Sequence, residues 1–161
     1  MVIYANKETI NYLSILSPVG WLTFFEKSEK LIVLEWGRAN NCTETPFLNK
    51  VKQELTEYFN TGRTRFTIPL QPTGTIFQTS VWNYIADIPY GQTRTYGEVA
   101  KKLNSAARPV GNACGKNPIP IFIPCHRIIG AKAKLTGFSG GLGIQTKQEL
   151  LTLETHTKKP L

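Results

Sequence analysis

Three short runs open the chain: Tyr12-Leu13-Ser14-Ile15-Leu16, Trp21-Leu22-Thr23-Phe24-Phe25 and Leu31-Ile32-Val33-Leu34. All are dense in β-forming residues. Ser17-Pro18-Val19-Gly20 and Lys27-Ser28-Glu29-Lys30 separate them like hairpin turns, so a small antiparallel sheet is expected. Thr45-Pro46 then offers an N-cap with proline in the first helical turn. Phe47, Leu48, Val51, Leu55, Tyr58 and Phe59 recur at helical spacing, and Gly62 is a fitting stop. That helix would cover the sheet, giving an α/β unit over residues 1–68. The stretch from Arg63 to Gly74, with Pro69 and Pro72, reads as a linker with one short strand.

From residue 69 to 161 the pattern turns mostly helical. Ile76, Phe77, Val81, Trp82 and Ile85 mark a helix over 75–85, and Pro89-Tyr90-Gly91 a turn. Thr95 caps a short helix through Leu103. After Asn104-Ser105 a second short helix is expected from Ala107 to Cys114, ended by Gly115, Asn117, Pro118 and Pro120. This pair has the look of a helix-turn-helix. Ile121-Phe122-Ile123 leads to Pro124-Cys125, and a last helix follows the Gly-rich stretch 137–143, from Ile144 to Glu154. The expected fold class is therefore an α/β N-terminal unit followed by a mostly α-helical domain with a helix-turn-helix.

Composition narrows the setting. With 41% hydrophobic and 19% charged residues the chain should fold. A net charge of +8 favours a polyanionic partner such as nucleic acid or an anionic membrane surface, and charge alone leaves a merely soluble basic protein as an open alternative. Cys42, Cys114 and Cys125 are no disulfide framework, which fits a reducing compartment. The opening MVIYANKETINYL lacks the features of a signal peptide, and no apolar stretch is long enough to span a bilayer. No membrane association is expected. His126 and His156 do not give zinc-ligand spacings with these cysteines, so no metal or cofactor is expected.

Pro124-Cys125-His126-Arg127 is the most chemically loaded segment, a thiol beside an imidazole and a guanidinium. Only the thiolate is a good nucleophile, and an adjacent base or cation supplies it. A lone cysteine after an apolar run is more often a small buried hydrophobe than a nucleophile.

Ile123-Pro124-Cys125-His126-Arg127-Ile128-Ile129 resembles the active-site signature of the O6-alkylguanine-DNA alkyltransferases. Further motifs follow in that family's order: Gly74-Thr75-Ile76-Phe77-Gln78 with Val81-Trp82, Ile88-Pro89-Tyr90-Gly91-Gln92-Thr93, Tyr96-Gly97, Ala106-Ala107-Arg108 with Val110-Gly111, Asn117-Pro118, Gly137-Phe138-Ser139-Gly140-Gly141, and Lys147 with Leu150-Leu151 to Glu154. The resemblance covers about half the chain, from Gly74 to Glu154. It implies direct-reversal repair, in which a methyl or larger alkyl group passes irreversibly from O6-alkylguanine in a flipped-out base to Cys125, with O4-alkylthymine left open as a second substrate. Each molecule then acts once, as a methylated-DNA–protein-cysteine methyltransferase.

By this resemblance His126 is the general base acting through a water, Glu154 orients it, Asn117 holds the active-site turn, and Tyr96 gives a proton to the leaving guanine. Read singly, Glu154 is a solvated helix end, Asn117 a turn residue and Tyr96 core packing. Val110, Gly111, Ile128, Phe138 and Ser139 match the substrate pocket. Arg108 is the residue inserted into the base stack from the minor groove. Arg94, Thr95, Arg108, Cys114 and Lys116 are the expected DNA contacts, though a solvated helix face explains the lysines equally well. The implied partner is double-stranded DNA carrying O6-alkylguanine, met by a monomer in the cytoplasm, the nucleoid or a nucleus. Residues 1–68 support the acceptor and DNA-binding domain, 69–161.

Pro109 departs from the pattern by following Arg108 where a small residue is usual. The turn from Leu103 to Ala106 is short, and Phe138 stands where tyrosine is common. Three competing readings remain: a non-enzymatic protein that binds alkylguanine lesions, a cysteine hydrolase or acyltransferase using Cys125 and His126, and a DNA-binding regulator with a structural cysteine.

Overall fold

The computed structural model describes residues 8–157. Strands β1 (Ile10–Ser17), β2 (Gly20–Lys27) and β3 (Lys30–Trp36) form an antiparallel sheet in chain order. Two tight turns fix the register. Pro18-Val19 closes the first, with the Ser17 hydroxyl donating to the Gly20 carbonyl at 2.7 Å. Ser28 and Glu29 close the second with φ of 51° and 56°, the conformation whose twist matches paired strands. Leu13, Leu22, Phe24, Leu31 and Leu34 are buried.

Helix α1 (Pro46–Thr61) packs against β1 and β2 through Leu48, Val51, Leu55, Tyr58 and Phe59, as its spacing predicts. Phe47 is only half-buried. Thr45 is the N-cap, accepting from the Leu48 amide at 3.1 Å, and Gly62 ends the helix in the left-handed region at φ 73°. The Thr45 hydroxyl also donates to the buried Glu26 carboxylate at 2.5 Å. Thr45→Ala should therefore cost about 1–2 kcal/mol in urea denaturation, from a lost cap and an under-bonded buried acid together.

The linker contributes one bridge rather than a strand. Leu70 pairs in parallel with Leu31, the Leu31 amide reaching Pro69 and the Gln71 amide reaching Leu31. Helix α2 (Ile76–Ala86) begins at a Thr75/Gln78 capping box. Ile76, expected on its apolar face, is 93% exposed; it opens the helix, outside the turns that pack through Val81, Trp82 and Ile85. Strand β4 (Arg94–Thr95) leads into α3 (Tyr96–Lys102), capped by Thr95 with Glu98, and α4 (Ala107–Gly115) follows. Pro109 sits in the first turn of α4, where no intrahelical amide bond is forfeited. Trp82 ties α2 to α4 by donating to the Ala113 carbonyl at 2.9 Å.

A pairing the local pattern did not announce joins β4 in parallel to β5 (Ile128–Ile129), immediately after Cys125–Arg127. Helix α5 (Ile144–His156) runs two residues past the expected end. The Leu34 amide donates to the Pro118 carbonyl at 2.9 Å, and one continuous core spans both halves. The edge of β3 is thereby fixed beside the segment that carries the cysteine. No helix among the described residues is long and apolar enough to cross a membrane.

Candidate active site

Cys125 opens a single 3₁₀ turn, Cys125–Arg127, with its amide on the Ile123 carbonyl at 2.8 Å. The chain reaches it through Ile121, whose φ of 73° is unfavourable for a β-branched residue and costs about 1–3 kcal/mol. Asn117 holds that bend from both sides. Its side-chain amide donates to the Ile123 carbonyl at 2.8 Å and its carbonyl accepts the Ile119 amide at 3.0 Å. The asparagine is thus a clamp on the turn as well as the residue that follows α4.

Cys125 is buried, with 8% of the residue exposed. Burial pushes its pKa up, against the Asn117 amide, the Lys147 charge and the backbone amides of Cys125 and His126, which favour the thiolate. The resting nucleophile is therefore a thiol surrounded by groups that lower the cost of ionising it.

His126 and Glu154 are both 0% exposed, and His126 Nε2 meets Glu154 Oε1 at 2.7 Å. Burial lowers the imidazole pKa, Arg127 and Lys147 push the same way, and Glu154 opposes them. The ring is neutral, with Nε2–H donating to the carboxylate and Nδ1 left as a lone-pair acceptor. Nδ1 is the one buried side-chain nitrogen or oxygen among the described residues with no partner. Such an atom in a native site calls for an explanation.

Glu154 gathers more than the imidazole. Arg127 donates to Oε2 through Nε and to Oε1 through Nη2, both at 2.9 Å, and to the Ile88 carbonyl through Nη1 at 2.7 Å. The Tyr58 hydroxyl donates to Oε1 at 2.8 Å, and the Gly91 amide to Oε2 at 3.2 Å. Burial alone would raise the carboxyl pKa; the hydrogen bonds from His126 and Arg127, with the Arg127 charge, overcome it and hold the group well below the carboxylate range.

Tyr96 opens α3 and donates to the Thr136 carbonyl at 3.1 Å. Burial, with the nearby Cys114 and Cys125 thiols, pushes the phenol up to about 12. Lys147, 0% exposed on α5, holds the Ile128 and Thr136 carbonyls and lies 5.7 Å from the Tyr96 ring centroid.

Two recesses meet around Gly137–Ser139. One, of about 420 Å³, is lined by Cys125, Cys114, Asn117, Phe138 and the end of β3. The other, of about 740 Å³, lies between α2, α4 and Phe138–Ser139, and includes Gly111 and Lys116. Val110 is buried in the core and lines neither recess. The Ile128 amide bonds to Cys125 and its carbonyl to Lys147.

Arg108 and Lys116 are exposed at the two ends of α4. Arg94 is half-buried, bonded to Thr93 and Gln92, and Thr95 serves as the α3 cap. Cys114, expected at the DNA surface, is buried on the inner side of α4 and lines the Cys125 recess; burial first, then Cys125, pushes its thiol up to about 12. Arg127 was visible in the motif without a role, and Tyr58 carried no local signal of one. No group of residues among those described is arranged to hold a metal ion.

The model of the 6-O-methylguanine DNA methyltransferase ribonuclease-like domain matches residues 10–72, and that of the DNA binding domain of the same proteins matches 76–156. The methylated-DNA–protein-cysteine methyltransferase of Methanosarcina acetivorans is 42% identical over 148 residues, 86% of this chain and 94% of its own. The constitutive enzyme of that name from Bacillus subtilis is 38% identical, over 89% and 94%. The crystal structure of Mycobacterium tuberculosis O6-methylguanine methyltransferase superposes with a TM-score of 0.81 at 38% identity, covering 95% of this chain and 97% of that one. That of M. tuberculosis OGT in complex with DNA gives 0.82 at 41%, over 91% and 94%. With both of its halves matched and the buried Cys125–His126–Glu154 constellation in place, the chain belongs to the 6-O-methylguanine DNA methyltransferase family.

Proposed function

We propose that the protein repairs DNA by direct reversal, taking the alkyl group of O6-alkylguanine onto Cys125. The observation that carries this is the fully buried His126, its Nε2 held by Glu154 at 2.7 Å and its Nδ1 without a partner, beside the residue that holds the thiol. The Cys125 proton passes through a water to Nδ1. Sγ attacks the alkyl carbon, the S–C bond forming as the C–O6 bond breaks, and guanine leaves with the bonding pair. Charge grows on the purine, and the Tyr96 phenol stabilises it by hydrogen bonding and proton donation. A thioether remains, a bond stable enough that the acceptor is not regenerated, so each molecule reacts once.

DNA is the partner. The finer reading is a duplex carrying the lesion, approached by a monomer in the cytoplasm or nucleoid, or in a nucleus. Arg108 enters the stack in place of the extruded base, and Lys116 and Arg94 meet phosphates. Phe138, Ser139 and Gly111 wall the base. Residues 1–68 support the acceptor domain, 69–161. The buried acceptor thiol argues against a lesion-binding protein that performs no transfer.

Intact mass after incubation with an oligonucleotide containing one O6-methylguanine tests this directly. One methyl group per chain is expected, mapped to Cys125 and missing from Cys125→Ser. Binding without a mass gain would make the protein a lesion sensor, and neither binding nor gain would end the assignment.

A further inference from the structure

Trp36, at the end of β3, belongs to the N-terminal unit, yet its indole lies under the glycine-rich loop of the acceptor site. Its ring meets that of Phe138 edge-on, centroids 5.9 Å apart at 87°. The loop backbone rests on it so closely that a Cβ on Gly140 would stand 2.5 Å from Trp36 Cζ3, and one on Gly141 2.8 Å from Trp36 Nε1. The indole is fixed by donating through Nε1 to the Val19 carbonyl at 3.1 Å, in the β1–β2 turn. Leu34, Glu35 and Trp36 line the same recess as Cys125.

We propose that Trp36 is a positioning residue that sets the width of the alkyl pocket by seating the loop that carries Phe138 and Ser139, so that the N-terminal sheet takes part in choosing the alkyl group. This rests on the transfer reaction proposed above. A shelf of rigid aromatic surface under backbone leaves the loop one height above the thiol. Phe138, lacking a hydroxyl of its own, depends on that edge contact for its place. Removing the shelf lets the loop settle elsewhere: a methyl group on guanine, which needs a closely fitted wall, loses alignment, while a bulky group gains room.

The test compares single-turnover transfer of methyl and benzyl groups from O6-alkylguanine in the same duplex, in wild type, Trp36→Ala and Trp36→Phe. The benzyl-to-methyl rate ratio should rise about tenfold in Trp36→Ala and return close to the wild-type value in Trp36→Phe, which keeps an aromatic edge for Phe138. A merely structural loss would slow both transfers equally. Gly140→Ala gives a second route if Trp36→Ala does not fold, because the added methyl pushes the loop off an intact indole; the ratio should again shift. An unchanged ratio in folded variants overturns the proposal. Absence of transfer in wild type would instead overturn the reaction on which it rests.

Discussion

Glu154→Gln should destabilise the protein by about 3–5 kcal/mol and slow alkyl transfer by about 10²–10⁴-fold among the molecules that remain folded. The substitution keeps the shape and removes the charge. Arg127 is buried with Glu154 as its acidic partner, so the variant leaves a buried guanidinium without a counter-charge. An amide also presents an NH₂ where His126, Arg127, Tyr58 and Gly91 all offer donors. A loss of this size is a large part of the usual stability of a domain.

Acid should act on the same cluster in two stages. Burial first, then Arg127 and Lys147, lower the His126 pKa from its ordinary 6.5. The unfolded chain therefore takes up that proton first, and stability falls as pH drops below about 6.5. Glu154, held below its ordinary 4.5, contributes stability present above that value and lost as pH falls further toward its folded pKa. Glu154→Gln should keep the first stage and lack the second. Urea midpoints measured from pH 8 to 3.5, beside single-turnover rates corrected for folded fraction, check both; an undiminished second stage would place the acid-sensitive group elsewhere.

Features encoded by neighbouring residues are legible in the sequence. The Thr45-Pro46 start and Gly62 stop of α1 are signals of backbone capping, carried by the residues at the ends themselves. The three strands are likewise visible as runs between turns, because the side-chain pattern and the turn chemistry are both short-range. Contacts between distant segments leave no such mark. Tyr58 meets Glu154 across 96 residues, and its helical spacing explains its burial without hinting at its hydroxyl's partner. Strands β4 and β5 have two residues each, too few for any period. Cys114 sits on a short helix whose inner face depends on where α2 and the recess lie, so its spacing alone could not separate surface from interior. The motif resemblance supplied Cys125, His126, Glu154 and Asn117 as a set, and the geometry supplies what relates them: a neutral imidazole, a lowered carboxylate and a clamped bend.

Lys147→Met should leave stability within about 2 kcal/mol of wild type yet slow transfer about a hundredfold. Burial disfavours the Lys147 ammonium and lowers its pKa, while the Cys125 and Cys114 thiols act the other way. Methionine removes that burial cost and loses the bonds to the Ile128 and Thr136 carbonyls, so the two changes largely offset in folding. Catalysis has no such compensation. The ammonium stabilises the thiolate that forms at Cys125, and it ties β5 to the segment entering the Phe138–Ser139 loop. Alkylation of Cys125 by iodoacetamide as a function of pH separates these contributions, since that reagent needs the thiolate but not the guanine wall. The inflection should move up by about one pH unit in Lys147→Met, or about 1.4 kcal/mol of lost thiolate stabilisation. Lys147→Arg should retain the inflection while transferring alkyl groups slowly, because its planar fork keeps the charge but not the compact geometry of the two carbonyl bonds. An inflection that does not move in Lys147→Met would confine the lysine to holding the loop. A moved inflection with undiminished transfer from DNA would mean that the step limiting repair comes before the thiol ionises.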